Sequence, residues 1–404
     1  MEQAFDNLTF VFPKEKSLEE IQKISPLEIF SEDAISFLDA LSKELVSNSE
    51  IRNFPDLATF AFFCRKANVI KFKKRYLLED LIRLGRGLVF HIAPSNVPVN
   101  FAYSLFSGIL AGNVNVVRVP SKEFEQVNII ANCIERLAIK NEFQLITDRI
   151  FLLRYNRISS NTDVLSSVCD VRVIWGGDET INQIRRSKIP AKSYDITFAN
   201  RYSFCLINAD NYLEAKNKNL IAQGFYNDTY LFDQNACTAP HSIIWMGSQE
   251  SIENAKLLFW QTLEDLVEKN YEDSPAVIAI DKLTAFYTQA IKLNNVTKVK
   301  TANNSLWRIN LNELSSEIEK YSCSSGYFLE FNIDSFSDLK KIVNRKYQTM
   351  AYYGFSKEEL SVFFKESNLF GIDRIVPIGR TLDFSLIWDG YDLIRSLSRT
   401  CEIV

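Results

Sequence analysis

Histidine is the scarcest reactive side chain in this 404-residue sequence: there are two, His91 and His241, and the seven cysteines include no C-x-x-C pair. A zinc centre needs three or four such ligands held together, so no metal site is expected. Cys64, Cys133, Cys169, Cys205, Cys237, Cys323 and Cys401 are odd in number and scattered, which argues for reduced thiols and a cytoplasmic compartment. A basic excess is also missing. With 46 Lys and Arg against 50 Asp and Glu, net charge −4, no field exists to condense onto nucleic acid or an anionic membrane, and nucleic acid is excluded as a partner. No bilayer-spanning run is present either: the most apolar stretch, residues 101–119, is interrupted by Gly108, Gly112, Asn113, Asn115 and Arg118. The opening Met1-Glu2-Gln3-Ala4-Phe5-Asp6 lacks a basic segment followed by an apolar one, so no secretory leader is expected. What is plentiful is aromatic: 30 Phe and 16 Tyr in a chain that is 47% hydrophobic, enough for two domains with large cores. That excess suits an aromatic-rich core or the lining of an apolar cavity.

Residues 1–85 read as an N-terminal helical segment. Ser17-Leu18-Glu19-Glu20 has the capping-box pattern, and Ile35, Leu38, Leu41 and Leu45 recur at helical spacing. The basic cluster Lys71, Lys73, Lys74 and Arg75 reads as a solvated face. From residue 86 to about 203, short continuous apolar runs (88–93, 114–119, 150–155, 171–175) alternate with helix-like stretches (99–111, 123–140, 178–186). This alternation predicts an α/β domain with a parallel sheet covered on both faces, its ligands at the carboxyl ends of the strands. Residues 204–370 read as a second α/β unit, opening with the strand-like 204–207 and containing a helix over 250–269. Residues 371–404 read as a C-terminal return segment, rich in turn residues, with a helix-like run at 391–398.

Four places carry candidate chemistry. In Pro94-Ser95-Asn96-Val97-Pro98, at the end of an apolar strand, two prolines fix the backbone around Asn96, whose amide could aim at an oxygen gaining negative charge; a plain turn asparagine is the alternative. The strand ending in Arg118 runs into Pro120-Ser121-Lys122, a place suited to anions. Trp175-Gly176-Gly177-Asp178 joins a strand to a helix with two glycines that admit a pyrophosphate; Asp178 reads equally as the helix N-cap. Finally, Leu231-Phe232-Asp233-Gln234-Asn235-Ala236-Cys237-Thr238-Ala239-Pro240-His241 sets a cysteine in a polar turn before the apolar Ser242-Ile243-Ile244-Trp245, which presents it at a strand edge rather than as a packed hydrophobe. His241 could pair with that thiol, but the intervening proline leaves the geometry unreadable from sequence. His91, Cys133 and Cys205 sit in apolar patterns and read as packing.

In this order the four pieces resemble the aldehyde dehydrogenase superfamily, in which a Pro-Trp-Asn-Phe-Pro loop, a cofactor strand, a glycine turn and a Gly-Gln-x-Cys nucleophile follow one another. Phe232-Asp233-Gln234 with Ala236-Cys237, Trp175-Gly176-Gly177, and the segments Gly371-Ile372-Asp373-Arg374-Ile375-Val376-Pro377 and Trp388-Asp389-Gly390-Tyr391-Asp392 are similar, more narrowly, to the LuxC-like acyl-CoA reductase family of bacterial luminescence. That resemblance covers residue 80 to the end. It implies an aldehyde dehydrogenase-like fold of two Rossmann-type α/β domains and a thioester reductase. Cys237 would take an acyl group from fatty acyl-CoA or an acylated partner protein, a nicotinamide would deliver hydride, and a fatty aldehyde would leave. Asn96 and the Cys237 N–H would hold the oxyanion. Ser95, Arg118, Ser121, Lys122, Gly176, Gly177 and Asp178 would line the cofactor site. The resemblance also implies a homo-oligomer, with an acyl-protein synthetase-like partner.

Departures from the superfamily pattern refine this. Where oxidising members carry the glutamate that activates water, this chain has Phe198-Ala199-Asn200-Arg201-Tyr202, so an acyl-cysteine would persist until hydride reaches it. Lys122 replaces a glutamate that binds the adenine ribose in NAD-preferring members, which points to NADPH. The Glu-x-Phe-Gly-Pro segment that contacts the nicotinamide ribose has no counterpart, Ser322-Cys323-Ser324 lying near its expected place. That loss leaves two alternatives in view: an acyltransferase using the same cysteine, or a non-enzymatic subunit of an acyl-processing complex.

Overall fold

The computed structural model describes residues 8–14, 21–76, 81–94, 97–156, 160–271, 275–293, 296–301, 304–313 and 315–403. The expected capping box at residues 17–20, and Ser95 and Asn96, lie outside the described residues. The chain divides into two compact units, residues 1–199 with 384–404, and residues 200–383.

The first unit opens with β1 (Thr9–Phe12) and three helices, α1 (Glu32–Ser47), α2 (Pro55–Phe63) and α3 (Lys66–Lys73). α1 starts where Ser31 Oγ accepts from the Ala34 N–H, with Glu32 and Asp33 on the favourable end of the helix dipole. Its stripe of Ile35, Leu38, Leu41 and Leu45 is buried, as the helical spacing requires. After β2 (Ile82–Gly85) the alternation begins: β3 (Leu88–Ile92), α4 (Asn100–Leu110), β4 (Val114–Arg118), α5 (Glu125–Ala138), α6 (Gln144–Thr147), β5 (Ile150–Arg154), α7 (Asn161–Val168), β6 (Val171–Trp175), α8 (Asp178–Ile184) and β7 (Tyr194–Phe198). The sheet order is β1-β5-β4-β3-β6-β7, parallel except for β1. The chain grows from β3 through β4 to β5 and then returns to the other side of β3 with β6 and β7. The order therefore reverses between β3 and β6, the switch point at which doubly wound sheets bind ligands. Val89 and Val117 face a core shared with α1 to α5, whereas Leu88, Phe90, Val114 and Val116 face the opposite core. The period-two alternation of strands thus fills both faces.

The second unit runs β8 (Tyr202–Asn208), α9 (Ala209–Leu213), α10 (Lys218–Thr229), β9 (Pro240–Met246), α11 (Gln249–Asn270), α12 (Ala276–Lys292), β10 (Val296–Val299), β11 (Trp307–Leu311), β12 (Tyr327–Ile333), β13 (Tyr347–Tyr353), α13 (Lys357–Ser367) and β14 (Arg374–Pro377). Its sheet, β10-β11-β12-β9-β8-β13-β14, is parallel except for β10. Phe225, Phe259 and Trp260 from the helices pack with Cys205, Ile243 and Trp245 on one face; Phe204, Ile244, Leu329 and Met350 build the other core. α12 reverses the usual amphipathic pattern: Lys282 and Gln289 are its buried residues, bonded to the Asn304 and Tyr321 carbonyls, whereas Val277, Ile280, Tyr287 and Ile291 are exposed.

The return segment rejoins the first unit as β15 (Ile387–Trp388), β16 (Tyr391–Asp392), α14 (Leu393–Leu397) and β17 (Ser398–Cys401). The helix expected over 391–398 is only these five residues. Asp392 caps its start through the Arg395 N–H, and Ser398 already pairs with Gly85 of β2.

Candidate active site

The thiol loop is organised by one buried amide. α10 ends at Thr229, and after a short turn Asp233 and Gln234 adopt left-handed backbone angles, φ 49° and 60°, that reverse the chain toward β9. Two non-glycine residues in that region are costly unless their surroundings fix them. Gln234 supplies the fixing. Its Oε1 accepts from the Gly326 and Tyr327 N–H groups at 3.0 and 3.1 Å, and its Nε2 donates to the Pro240 and Tyr327 carbonyls at 2.9 and 3.2 Å. The side chain stitches both ends of the loop to the start of β12. Asp233 is held in turn by the Tyr271 hydroxyl, 2.6 Å from its Oδ1. Cys237, three residues on, is exposed, whereas Cys64, Cys133, Cys169 and Cys205 are buried. Burial pushes the Cys133 thiol up to about 11 and Cys169 to about 12, and raises Cys64 and Cys205 well above the ordinary range. Those four are packing groups.

The strands around the loop carry irregularities at this level. β8 and β9 lose register between Ser203 and Phe204, with His241 the extra residue, and β13 carries one extra residue between Tyr347 and Met350. Such bulges re-aim side chains. Ser203 Oγ donates to the Cys237 carbonyl at 2.7 Å and accepts from the Thr349 N–H at 3.2 Å. Gln348, on the bulged stretch of β13 and buried, directs Nε2 to Cys237 Sγ at 3.5 Å. Arg374 at the start of β14 donates to the Thr381, Arg380 and Asp383 carbonyls. Burial lowers its pKa from the ordinary value, while Asp383, Asp228 and Cys237 favour its charge. Asp228 accepts from the Gly379 and Thr381 N–H groups at 2.6 and 3.0 Å, and burial raises its carboxyl to about 6. The thiol thus lies at the amino ends of β8, β9 and β13, in the turn before the apolar run 242–245.

Gln348, Arg374, Ser203, Asp228 and Tyr271 are groups here to which sequence reasoning assigned no role. A glutamine inside a strand has no signature. Arg374 appeared only as part of a quoted segment. His241 is engaged with the Cys323 carbonyl through Nδ1 at 3.2 Å and stacks on Tyr202. Burial pushes it down to about 4, so it is neutral at pH 7, with Nδ1 as the donor. The structure gives Ser322-Cys323-Ser324 this carbonyl contact and a position just before β12.

In the first unit the remaining candidates occupy the carboxyl edge of the sheet. Ser121 and Lys122 are exposed just after β4, and Lys122 Nζ lies 5.1 Å from the centre of the Phe124 ring. Arg118 is buried, its guanidinium over the Tyr155 ring and Nη2 donating to the Tyr155 carbonyl at 3.4 Å. Gly176 and Gly177 follow β6, and Gly177, not Asp178, takes the N-cap position of α8. Asp178 is the first helical residue, where a carboxylate suits the helix dipole. Trp175, stacked on Phe198 with ring centres 3.7 Å apart, is anchored by a polar chain: its Nε1 donates to Ser104 Oγ, which lies 2.7 Å from His91 Nδ1, and His91 Nε2 lies 3.1 Å from Asn115 Oδ1. The donor set of this edge fits an anionic dinucleotide: an exposed ammonium and hydroxyl after β4, and a side-chain-free turn after β6, on either side of β3. Among the described residues no group of three or more His, Cys, Asp or Glu is placed to hold a metal ion, and no helix is long and apolar enough to cross a membrane.

Solved structures similar in fold include aldehyde dehydrogenases. Aldehyde dehydrogenase 21 from Physcomitrella patens superposes with a TM-score of 0.64 at 11% identity, covering 95% of this chain and 87% of that one. An indole-3-acetaldehyde dehydrogenase solved with NAD+ does so at 0.64 and 11%, covering 92% and 83%. Among curated proteins, the long-chain acyl-protein thioester reductase of Photorhabdus laumondii subsp. laumondii is 24% identical over 205 residues, 50% of this chain and 41% of its own. The Vibrio harveyi protein of the same name is 24% identical over 328 residues, 79% of this chain and 64% of its own. The matched stretch therefore spans less than two thirds of each of these relatives. The family model described as acyl-CoA reductase (LuxC) matches residues 16–400. With that match running through both units and the aldehyde dehydrogenase fold beneath it, the chain belongs to the LuxC acyl-CoA reductase family.

Proposed function

We propose that the protein reduces a fatty acyl thioester to a fatty aldehyde through an acyl group carried on Cys237. The observation that carries this reading is the exposed Cys237 thiol on a loop that Gln234 holds rigid, with an amide donor at its sulfur. The Cys237 thiolate attacks the acyl carbon; the new C–S bond forms as the donor's C–S bond breaks, and the departing thiolate takes a proton. The Cys237 N–H, with the Asn96 amide expected from the superfamily pattern, steadies the oxygen of the acyl group. A reduced nicotinamide, when bound, would supply the hydride that converts the acyl group to aldehyde; Cys237 would hold the acyl carbon until then and leave as the thiolate when the bond to Sγ breaks. The stretch 198–202 offers no carboxylate to activate water, which supports persistence of the acyl-enzyme. Ser121, Lys122 and the Gly176–Gly177 turn would hold the cofactor, and Lys122 favours the 2′-phosphate of NADPH. Arg118, turned onto Tyr155, would support the strand end.

Purified protein given a long-chain acyl-CoA, or an acylated carrier protein in a parallel arm, is expected to oxidise NADPH and release aldehyde. With cofactor withheld, the acyl mass should stay on the Cys237 peptide. Cys237→Ala should abolish both; labelling of that variant at wild-type level overturns the reading. Acylation of Cys237 with no binding of NADPH or NADH would instead indicate an acyltransferase. The same reading expects a homo-oligomer, which sedimentation velocity checks.

A further inference from the structure

We propose that Gln348 is a catalytic residue of this site, its side-chain amide donating to Cys237 Sγ so as to hold the thiolate. The proposal rests on the reading of Cys237 as nucleophile and adds a hydrogen-bond donor for its anion. α10 ends one turn before the thiol loop, and the Gln234 N–H donates to the carbonyl of its last residue, Thr229, at 2.6 Å. The thiol loop follows a helix end and runs into β9, so it lacks the helix N-terminus that usually lowers cysteine pKa values. The charges of Arg374 and a Cys237 thiolate favour one another, and Gln348 adds a neutral donor at the sulfur. Gln348 Nε2 stands 3.5 Å from Sγ, a normal N–H···S length, from a side chain that is 2% exposed and so nearly free of competing water. Its orientation is set twice. The extra residue in β13 between Tyr347 and Met350 redirects the side chain, and the Thr349 hydroxyl lies 3.4 Å from Oε1, which leaves Nε2 as the end facing sulfur. Ser203 ties the same two strands to the cysteine from the backbone side, bonding the Cys237 carbonyl and the Thr349 N–H. Because an amide is neutral and does not take up a proton near pH 7, Gln348 stabilises the anion without activating water, which suits a site that must keep its acyl group.

The test is the pH dependence of Cys237 alkylation by iodoacetamide in the full-length protein, read by mass spectrometry of the Cys237 peptide, for wild type, Gln348→Met and Gln348→Glu. Wild type should alkylate with a midpoint below the value of about 8.5 for a free cysteine. Gln348→Met, which keeps the length and loses the donor, should raise the midpoint by about one pH unit, a tenfold loss of thiolate at neutral pH, and Gln348→Glu by more, since a carboxylate repels the thiolate. Midpoints that coincide in variants with wild-type circular dichroism overturn the proposal, as does a wild-type midpoint above the free-cysteine value, a result that needs no variant to fold. Acyl labelling of wild type is run alongside. Shifted midpoints without acyl on Cys237 would retain the amide–thiol pair and discard the acyl-cysteine reading, so the two failures are told apart.

Discussion

In the first unit the candidate groups leave the carboxyl ends of β4 and β6, whereas in the second the thiol loop meets the amino ends of β8, β9 and β13. The difference follows from what each end of a parallel strand offers. At the carboxyl end the chain usually turns into a helix N-terminus, which presents N–H groups and a partial positive charge; a small turn such as Gly176–Gly177 then leaves room for an anion. At the amino end the helices finish, so no helix N-terminus is presented there. The second unit builds its site there with side chains: Gln234 holds the loop, Ser203 donates to the Cys237 carbonyl, and Gln348 alone of the three donates to the sulfur. The first unit places its polar chain, Trp175-Ser104-His91-Asn115, beneath the edge, where it fixes the strands and helix that carry the glycine turn.

This contrast can be broken most severely at Gln234. Gln234→Leu would leave two N–H groups and two carbonyls that it now serves in the interior without their partner, and a loss of about 4 kcal/mol is expected from a penalty of about 1–3 kcal/mol per unsatisfied group, allowing for relaxation. Urea unfolding checks this, together with loss of Cys237 acylation; a stability change under about 1 kcal/mol would remove Gln234 as the organiser of the loop. Acid comes next and touches both units. Burial holds His91 and His241 near 4, below the ordinary value of 6.5, so between those values the unfolded chain binds protons that the folded chain does not. Stability is complete above pH 6.5 and falls as pH drops toward 4, by about 3 kcal/mol for His91 and less for the partly exposed His241. Unfolding free energies from pH 7 to 4 measure the slope, and His91→Gln, whose amide cannot titrate, should remove the first unit's share. The smallest effect is expected at the cofactor edge. Lys122→Glu should leave stability unchanged and shift the NADPH to NADH preference about tenfold toward NADH, roughly 1.4 kcal/mol of one charge interaction; an unchanged ratio would remove Lys122 from the cofactor site.

Much of the first unit was legible because β3, β4, β5 and β6 are largely apolar runs of five residues bounded by turn residues, and Val171–Trp175 falls where that pattern puts it. The second unit was less so. α12 was overlooked because its fully buried residues are Lys282 and Gln289 while Val277, Ile280, Tyr287 and Ile291 are exposed, so hydrophobic periodicity misreports its buried face. The role of Gln348 was hidden for another reason: it depends on one extra residue in β13, and a bulge has no sequence mark of its own.

By itself the sequence determined the α/β alternation, the scarcity of metal ligands, the lack of a carboxylate at residues 198–202 and the polar turn that presents Cys237. These are properties of composition and local order, which a linear chain states directly. The tertiary structure alone decided which strand ends face the thiol, that Gln234 bonds to β12 and that Gln348 reaches the sulfur, the last across 111 positions of sequence. Such contacts depend on strand order and register, and these are settled only when the sheets form.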